Sequence, residues 1–416
     1  MHTTSSSRLR HRRLSQRGVS LVEVMVGLVI GLVASLVIVR SFSASETFRR
    51  NIGGVADTVQ TAAISGARLG MLFEEGGASF VRGRNVWGCK LVAKRNKATL
   101  LPAGSAFAAP FAAFPTTVRV LPVGILDGGD AASDIVMVMS GSSAAGNRDM
   151  PLNGTPPPTD KLTFLNPNGI AIANAGTAVD DLFLIVPQEV AAGPGDCQIV
   201  QAASDYSGGA PKTDASLGLS VMPAMAEVVG PASYTDVRLN VDSASFGPIE
   251  STAGSPSAFH LGREAASTFS LVSVNANGEL VELDLLQRRG AQSFGENVVL
   301  FKARYGVDNG VGGTANDNAI DEWIAPSEAG WTLASLMDGT SARAQRIDQI
   351  KAIRIGLVVR SPQVVATGAR LTQIELFGDL SGSRKITRDL TKDEQRYAYQ
   401  VFDWVIPLRN MKSVPK

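Results

Sequence analysis

The chain has 416 residues, of which 44% are apolar and 19% are charged, so it can bury a large core in one or two globular units. The first 18 residues hold five arginines and no acid, and without these five positive charges the formal net charge of +1 becomes −4. A surface that tracks phosphates needs clustered Lys and Arg, which excludes nucleic-acid binding as the main function.

An apolar run of 21 residues, 19–39, follows these arginines and contains a single charged residue, Glu23. About 20 apolar residues are enough for a helix to cross the hydrocarbon core of a bilayer, so the run predicts a transmembrane helix. The arginines predict that residues 1–18 stay in the cytoplasm and that the body lies in the periplasm, beyond the inner membrane. A carboxylate within such a helix costs roughly 2.5 to 3.5 kcal/mol, which indicates a function for Glu23.

The residues at the start of this run carry a specific signal. Gly18 followed by VSLVE at 19–23, after an Arg-rich leader, resembles the class III signal of type IV prepilins. The resemblance implies that a prepilin peptidase cuts after Gly18, that Val19 becomes the N-methylated N-terminus, and that Glu23 is the assembly glutamate. That family usually has Phe where this chain has Val19. An ordinary signal anchor with a stray glutamate is the alternative.

Elementary electrostatics also predicts a role in assembly for the Glu23 carboxylate. In a fibre built by packing such helices side by side, its carboxylate can meet the α-amino group of Val19 in a neighbouring subunit. An α-amine has a pKa of ~7.7 to 8.0 and stays cationic after one methylation, so the two groups would form an ion pair in the fibre interior. Removing one partner of a buried pair typically costs ~3 to 5 kcal/mol. The pair is therefore expected to set the register between subunits.

The helical pattern continues beyond the apolar run, over residues 40–73. Apolar and small residues recur there at alternating intervals of four and three, which predicts one face of an amphipathic helix that docks on a globular body. Together with 19–39 this predicts one long helix, weakened at Gly53 and Gly54. The predicted docking stripe consists of Phe48, Ile52, Val55, Val59, Ala62, Gly66, Leu69 and Phe73.

The region 74–265 is rich in Ala, Gly, Ser, Pro and Thr, which predicts short strands separated by long loops. This composition fits either a variable, surface-exposed part of the globular head that follows the helix or ordinary loops on a β-domain. The only cysteines of the chain, Cys89 and Cys197, suit an oxidising compartment and predict one disulfide, with two buried thiols as the alternative. Strands are expected at 133–140, 161–165, 181–186, 197–201 and 234–241.

The region 266–416 has clearer strand patterns. Asn277 and Gly278 stand between two apolar runs, which is the strongest short hairpin signal. The runs at 269–274, 279–285, 297–305, 352–360, 373–377 and 397–407 predict an antiparallel sheet. The predicted fold class is α+β, with the long N-terminal helix packed on an antiparallel β-sheet head and residues 74–265 as a loop-rich insertion.

Three segments of this region resemble the PilW family of minor type IV pilins: ENVVLFKARYGVD at 296–308, IKAIRIGLVVRS at 350–361 and YAYQVFDWVIPLRN at 397–410. The resemblance implies a pilin-like structural subunit, with roles in pilus assembly, twitching motility, adhesion or DNA uptake. The implied partners are the prepilin peptidase, other minor pilins, the major pilin and the inner-membrane assembly platform. The chain would lie in membrane lipid before assembly and in the pilus at the cell surface afterwards.

Two alternatives to this function stay open. The closing strand, with its LRN element at 408–410, also resembles the minor pseudopilin J of type II secretion. A membrane-anchored periplasmic adhesin or binding module would use the region 74–265 as its recognition surface.

Motifs of nucleotide-binding, zinc-protease and serine-hydrolase sites do not occur in the sequence. Of the three histidines, His2 and His11 lie in the predicted leader, so a Ser-His-Asp site would have to use His260. A structural place at a strand edge is expected for His260. The sequence therefore predicts a protein that is not an enzyme and needs no cofactor.

One glycine-rich loop, GVDNGVGGTANDNAIDEW at 306–323, offers oxygen ligands of the kind that Ca²⁺ prefers. Its spacing does not fit an EF-hand, and Asx-rich loops commonly serve as turns. Calcium binding and a plain turn are both kept as hypotheses, and no other metal site is expected. The candidate ligands are Asp308, Asn316, Asp317, Asn318 and Asp321.

Overall fold

The structure is a computed structural model, and it describes residues 18, 20–80, 86–143, 149–152, 160–164, 181–187, 195–203, 236–240, 245–250, 256–286, 289–364 and 371–412. The chain divides into two compact units, Met1–Gly53 and Gly54–Lys416, and each is considered by itself. Residues 1–17 of the predicted leader and Val19 lie outside the described residues.

The described residues contain three α-helices, α1 (Leu21–Glu74), α2 (Leu333–Leu336) and α3 (Ser341–Asp348). Because the 54 residues of α1 include no proline, the two predicted helical segments form one helix, which Gly53 and Gly54 do not interrupt. The hydroxyl of Thr332 accepts a hydrogen bond from Ser335 N at 3.1 Å, so a standard N-cap begins α2.

Nineteen β-strands occur in the described residues, and they form three larger sheets and two sheets of two strands. The fold class is therefore α+β, as predicted. In chain order the strands are β1 (Lys90–Arg95), β2 (Ala98–Leu101), β3 (Val123–Leu126), β4 (Ile135–Ser140), β5 (Asp149–Pro151), β6 (Lys161–Thr163), β7 (Asp181–Val186), β8 (Asp196–Gln201), β9 (Asp236–Arg238), β10 (Ser257–Arg263), β11 (Thr268–Val274), β12 (Leu280–Asp284), β13 (Gln292–Gly295), β14 (Val298–Val307), β15 (Glu322–Ile324), β16 (Ile350–Val364), β17 (Gln373–Leu376), β18 (Ile386–Asp389) and β19 (Tyr397–Pro407).

The five-stranded sheet has the order β13-β12-β11-β4-β3 and is antiparallel throughout. The predicted hairpin joins β11 to β12, with Val274 opposite Leu280. Gly278 in its turn has a φ of +75°, a conformation that glycine adopts without steric cost. Strands β3 and β4 precede residue 265 and β11 to β13 follow it, so this sheet combines two predicted regions of the chain.

The four-stranded sheet has the order β15-β14-β16-β19, and β16 pairs with β14 on one side and β19 on the other. The sequence predicted one antiparallel sheet for the last third of the chain, and this part of the prediction is wrong. Strands β11 and β12 belong to the five-stranded sheet, and β17 pairs with β18 alone. The physical reason is that a period of two shows which face of a strand is buried, but not which strand is its neighbour.

The six-stranded sheet has the order β2-β1-β8-β7-β10-β5, and its β1-β8 pair is parallel whereas the others are antiparallel. The strands predicted at 181–186 and 197–201 are β7 and β8. Those predicted at 161–165 and 234–241 appear as the β6-β9 pair, and positions 165, 234, 235 and 241 lie outside the described residues.

Residues of α1 in the second unit pack on the sheets. Their buried side chains belong to an apolar cluster that includes Leu271 of the five-stranded sheet and Phe301 and Ile355 of the four-stranded sheet. This cluster joins the helix to both sheets. The residues of α1 that are buried there include Thr58, Ala62, Ser65, Leu69, Leu72 and Phe73.

The docking face of α1 differs from the predicted stripe at its N-terminal end. Val55 and Val59 are exposed, whereas Gly54 and Thr58 face the sheets. A Cβ atom at Gly54 would lie 3.3 Å from Cβ of Ser361, so the helix approaches the sheet closely there. Small residues allow this approach, whereas the predicted stripe followed the larger apolar residues Val55 and Val59 at this end of the helix. The side chains of Phe48 and Ile52 are outside the described part of the structure.

Gly66 provides a test of this docking. A Cβ atom at Gly66 would lie 2.8 Å from Cζ2 of Trp404, whose ring stacks on Phe402. We therefore expect Gly66→Ala to lower the free energy of unfolding by about 1 to 3 kcal/mol. Denaturant titration of the full chain in detergent measures this change.

Gly70→Ala is the matched control on the same helix, because a Cβ atom there would meet nothing within 4 Å. Alanine is the better helix former, so Gly70→Ala is expected to be neutral or to stabilise by up to about 1 kcal/mol. Equal responses of the two variants would contradict the close packing of α1 against β19.

Candidate functional site

The predicted prepilin residues lie at the start of α1. Gly18 and Ser20 precede the helix, and the Ser20 carbonyl accepts a hydrogen bond from Val24 N at 3.2 Å. Glu23 is exposed in the first turn, where the helix dipole favours a carboxylate. Within the described residues the Glu23 carboxylate forms no hydrogen bond or ion pair. Because Val19 lies outside those residues, its pairing with Glu23 stays a prediction.

The segment Leu21–Ser43 is long and apolar enough to cross a membrane, with a mean hydropathy of 2.7 and no part buried by the rest of the protein. Exposed apolar surface costs about 25 cal/mol per Å² relative to burial. The large side chains along this segment therefore need lipid or neighbouring helices as their surroundings. The segment suggests membrane anchoring.

Cys89 and Cys197 form a disulfide, with 5.7 Å between their Cα atoms. Cys89 directly precedes β1, and Cys197 lies in β8 opposite Leu91. Both side chains are fully buried. The bond spans 108 residues of sequence, so it greatly restricts the unfolded chain.

His260 is buried in β10 and contacts two polar side chains from other parts of the chain. Its Nδ1 lies 2.7 Å from Ser143 Oγ, and its Nε2 lies 3.1 Å from Asp181 Oδ2. These are the residue types of a serine-hydrolase triad. Sequence reasoning missed Ser143 and Asp181, because the three residues are far apart in the chain and no local motif contains them.

Among the described residues directly before and at Ser143, the backbone amides are already used within the protein. An oxyanion hole requires amide N–H groups that are aimed at the substrate. The amides of three consecutive residues donate within the protein instead: Gly141 to Ala78 O, Ser142 to Leu261 O and Ser143 to Ser79 Oγ. This arrangement supports a structural role for His260, although β10 lies between β7 and β5 and is not an edge strand.

In the loop at 306–323, two candidate calcium ligands hold the backbone. Asp308 accepts hydrogen bonds from the amides of Asn316 and Asn318, the second at 2.8 Å. Asp321 Oδ2 accepts from Asn309 N at 2.8 Å and from Gly310 N at 2.6 Å. These carboxylates therefore stabilise the turns of the loop through backbone amides.

The other candidate ligands have turn geometry as well. Asn316 and Asn318 have φ values of +64° and +68°, and Asp317 Oδ1 accepts from Ala319 N at 2.8 Å. Among the residues that the structure describes, no group of three His, Cys, Asp or Glu side chains is placed to hold a metal ion. Calcium binding stays an untested hypothesis.

Comparison with known families finds two matches. Residues 13–39 match a family described as Prokaryotic N-terminal methylation motif, and residues 259–410 match one described as Type IV Pilus-assembly protein W. Both resemblances seen in the sequence are thereby confirmed. The first match covers the predicted cut site and the apolar start of α1, and the second runs from within β10 past the end of β19.

The two matches support a type IV pilus-related pilin, and they imply interaction with a prepilin peptidase and other pilus components. No curated protein and no solved structure matches the chain.

Proposed function

We propose that this chain is a minor type IV pilin, a structural subunit without enzymatic activity that helps to prime assembly of the pilus. The proposal is based on the occurrence of two family matches in one chain. Residues 13–39 match the prepilin methylation motif, and residues 259–410 match the pilus-assembly family. An apolar helix that needs lipid or other helices around it supports the same function.

Processing starts with a cut between Gly18 and Val19 and methylation of the new amine of Val19. Gly18 precedes Leu21, the first residue of α1. The exposed Glu23 then pairs with the Val19 amine of a neighbouring subunit. Because this pair is buried once the helices pack together, it fixes their stagger.

The subunit first resides in the inner membrane, with its leader in the cytoplasm and its body in the periplasm, and then enters the pilus. Its partners are the prepilin peptidase, other minor pilins, the major pilin and the inner-membrane assembly platform, with lipid around α1 before assembly. The positive charges that support this orientation are the five arginines of the leader. Nucleic acid is not proposed as a primary partner. Twitching motility and adhesion are the proposed consequences of assembly.

The alternatives are weaker. A minor pseudopilin of type II secretion stays possible because of the LRN element, but the match described as Type IV Pilus-assembly favours the pilus. An anchored adhesin would use the region 74–265 as its recognition surface, and among the residues described there none of the contacts points to a ligand.

Deletion of the gene in its native host tests the proposed function. We expect the deletion to abolish surface pili and twitching motility and to leave secretion of exoproteins unchanged, with recovery when the full chain is supplied. Electron microscopy, a motility assay and immunoblots of the culture medium measure these outcomes. Normal pili with blocked secretion would overturn the proposal in favour of the pseudopilin.

A further inference from the structure

Lys302 lies in β14 and is completely buried. Its Nζ contacts Asp134 Oδ1 at less than a normal hydrogen-bond distance, and lies 2.8 Å from Gly129 O and 3.2 Å from Asp127 Oδ1. The nearest oxygens all come from the segment between β3 and β4. Lys302 therefore joins the four-stranded sheet to the loop that connects two strands of the five-stranded sheet.

Asp134 is also completely buried, and burial raises the pKa of its carboxyl above the ordinary value. Its Oδ2 accepts a hydrogen bond from Ala303 N at 2.9 Å. In a fully buried ion pair, the attraction between the two charges compensates only part of the free energy that both lose on leaving water. An amine and a carboxyl in contact, sheltered from water, are the two groups that an amide bond joins.

We propose that Lys302 and Asp134 condense into an intramolecular amide bond. A proton first passes from the ammonium of Lys302 to the carboxylate of Asp134, which makes both groups neutral. The Nζ lone pair then attacks Cγ of Asp134, the bond from Cγ to Oδ1 breaks, and one water leaves. One C–N bond forms and one C–O bond breaks, so no oxidant or reductant takes part.

Asp127 is placed to move the second proton. Before the reaction, the charge of Lys302 and the amide of Gly129 lower the pKa of Asp127 against the opposing effect of burial. After the attack Nζ is cationic again, and Asp127 accepts its proton and passes it to the departing oxygen. Asp127 is 28% exposed and lines a groove of about 540 Å³ together with Ala132 and Ser133. The groove gives the released water a way out.

The reaction would remove Oδ1 of Asp134 and with it the hydrogen bond that this oxygen accepts from Gly128 N at 2.9 Å, whereas two other hydrogen bonds of the pair would persist. Oδ2 of Asp134 becomes the amide oxygen and still accepts from Ala303 N, and the new N–H lies beside Gly129 O. No charge is left buried without a partner, which would be costly. The bond would tie β14 covalently to the start of β4, and so hold the two sheets together under tension along the chain.

Peptide mapping of the full chain, purified in detergent and then reduced, denatured and digested with trypsin, tests the proposal. Trypsin does not cut after an acylated lysine, so we expect the peptides 120–148 and 290–304 to be joined, with a mass one water below the sum of the two. Separate peptides 120–148 and 290–302 as the main products would overturn the proposal. Cleavage of the leader and methylation lie outside both peptides.

Lys351 serves as the internal control, since it is buried in β16 and donates to the carbonyls of Asp348 and Met411. Complete cleavage after Lys351 shows that burial in the native fold does not itself protect a lysine. In Asp127→Asn both reacting groups remain, and we expect the joined fraction to fall at least about tenfold because a carboxylate relay is missing. An unchanged fraction in that variant would overturn the role of Asp127.

Discussion

Replacing Glu23 with alanine is expected to leave the leader cleaved and to reduce incorporation of the chain into pili at least about a hundredfold, since a stranded buried charge typically costs ~3 to 5 kcal/mol. The physical reason is that the Val19 amine of the neighbouring subunit would lose its counter-charge on entering the fibre interior. Immunoblots of sheared pili and of membranes, compared with the unaltered chain, measure the incorporated fraction.

Two variants separate this effect from processing and from a general loss of charge. Gly18→Ala should keep residues 1–18 attached and fail before assembly, which a larger mass reveals. Asp57→Ala removes an exposed carboxylate from the same helix outside the apolar run, and it should assemble like the unaltered chain. Normal assembly of Glu23→Ala would show that the pairing of Glu23 with Val19 is wrong.

Replacing both Cys89 and Cys197 with alanine is expected to lower the free energy of unfolding of the β-rich unit by about 2 to 5 kcal/mol. The bond closes a stretch of 108 residues, and its loss lets the unfolded chain gain conformational entropy. Trp87 is buried two positions before Cys89 and packs on Phe80 at 5.7 Å between ring centroids, so its fluorescence reports unfolding near the bond.

Reduction of the unaltered chain should produce the same loss of stability as the double variant, because both remove the same covalent constraint. The double variant itself should not respond to reductant. Three samples are compared: the unaltered chain without reductant, the unaltered chain with reductant, and the double variant. The same denaturation midpoint in all three would contradict the stabilising role of the disulfide.

Local patterns in the sequence were sufficient for elements that depend on their own residues. The apolar run and the recurring stripe that follows it predicted α1, and Asn277 with Gly278 predicted the turn between β11 and β12. Five consecutive apolar residues after Asp181 predicted β7 with the bounds seen in the structure. In each case the physical determinant lies within a few residues of the element.

Features that depend on distant neighbours were not predictable from the same patterns. The assignment of strands to separate sheets depends on pairings such as β4 with β11, which no periodicity specifies. The docking face at Gly54 and Thr58 was missed because small residues carry no hydrophobic signal. Lys302 looks like a solvent-exposed position in sequence, and its burial is explained by oxygens from a distant segment, among them the carboxylate of Asp134 and the carbonyl of Gly129.

The pairing of β4 with β11 also determines when this protein can fold during synthesis. Strand β4 ends at Ser140 and its partner begins at Thr268, so the early strand has no neighbour on that side until the later one has been made. Contacts this distant in sequence form slowly, and a waiting strand is prone to aggregate. The growing chain therefore has an interval in which one side of β4 is open to pairing with other chains.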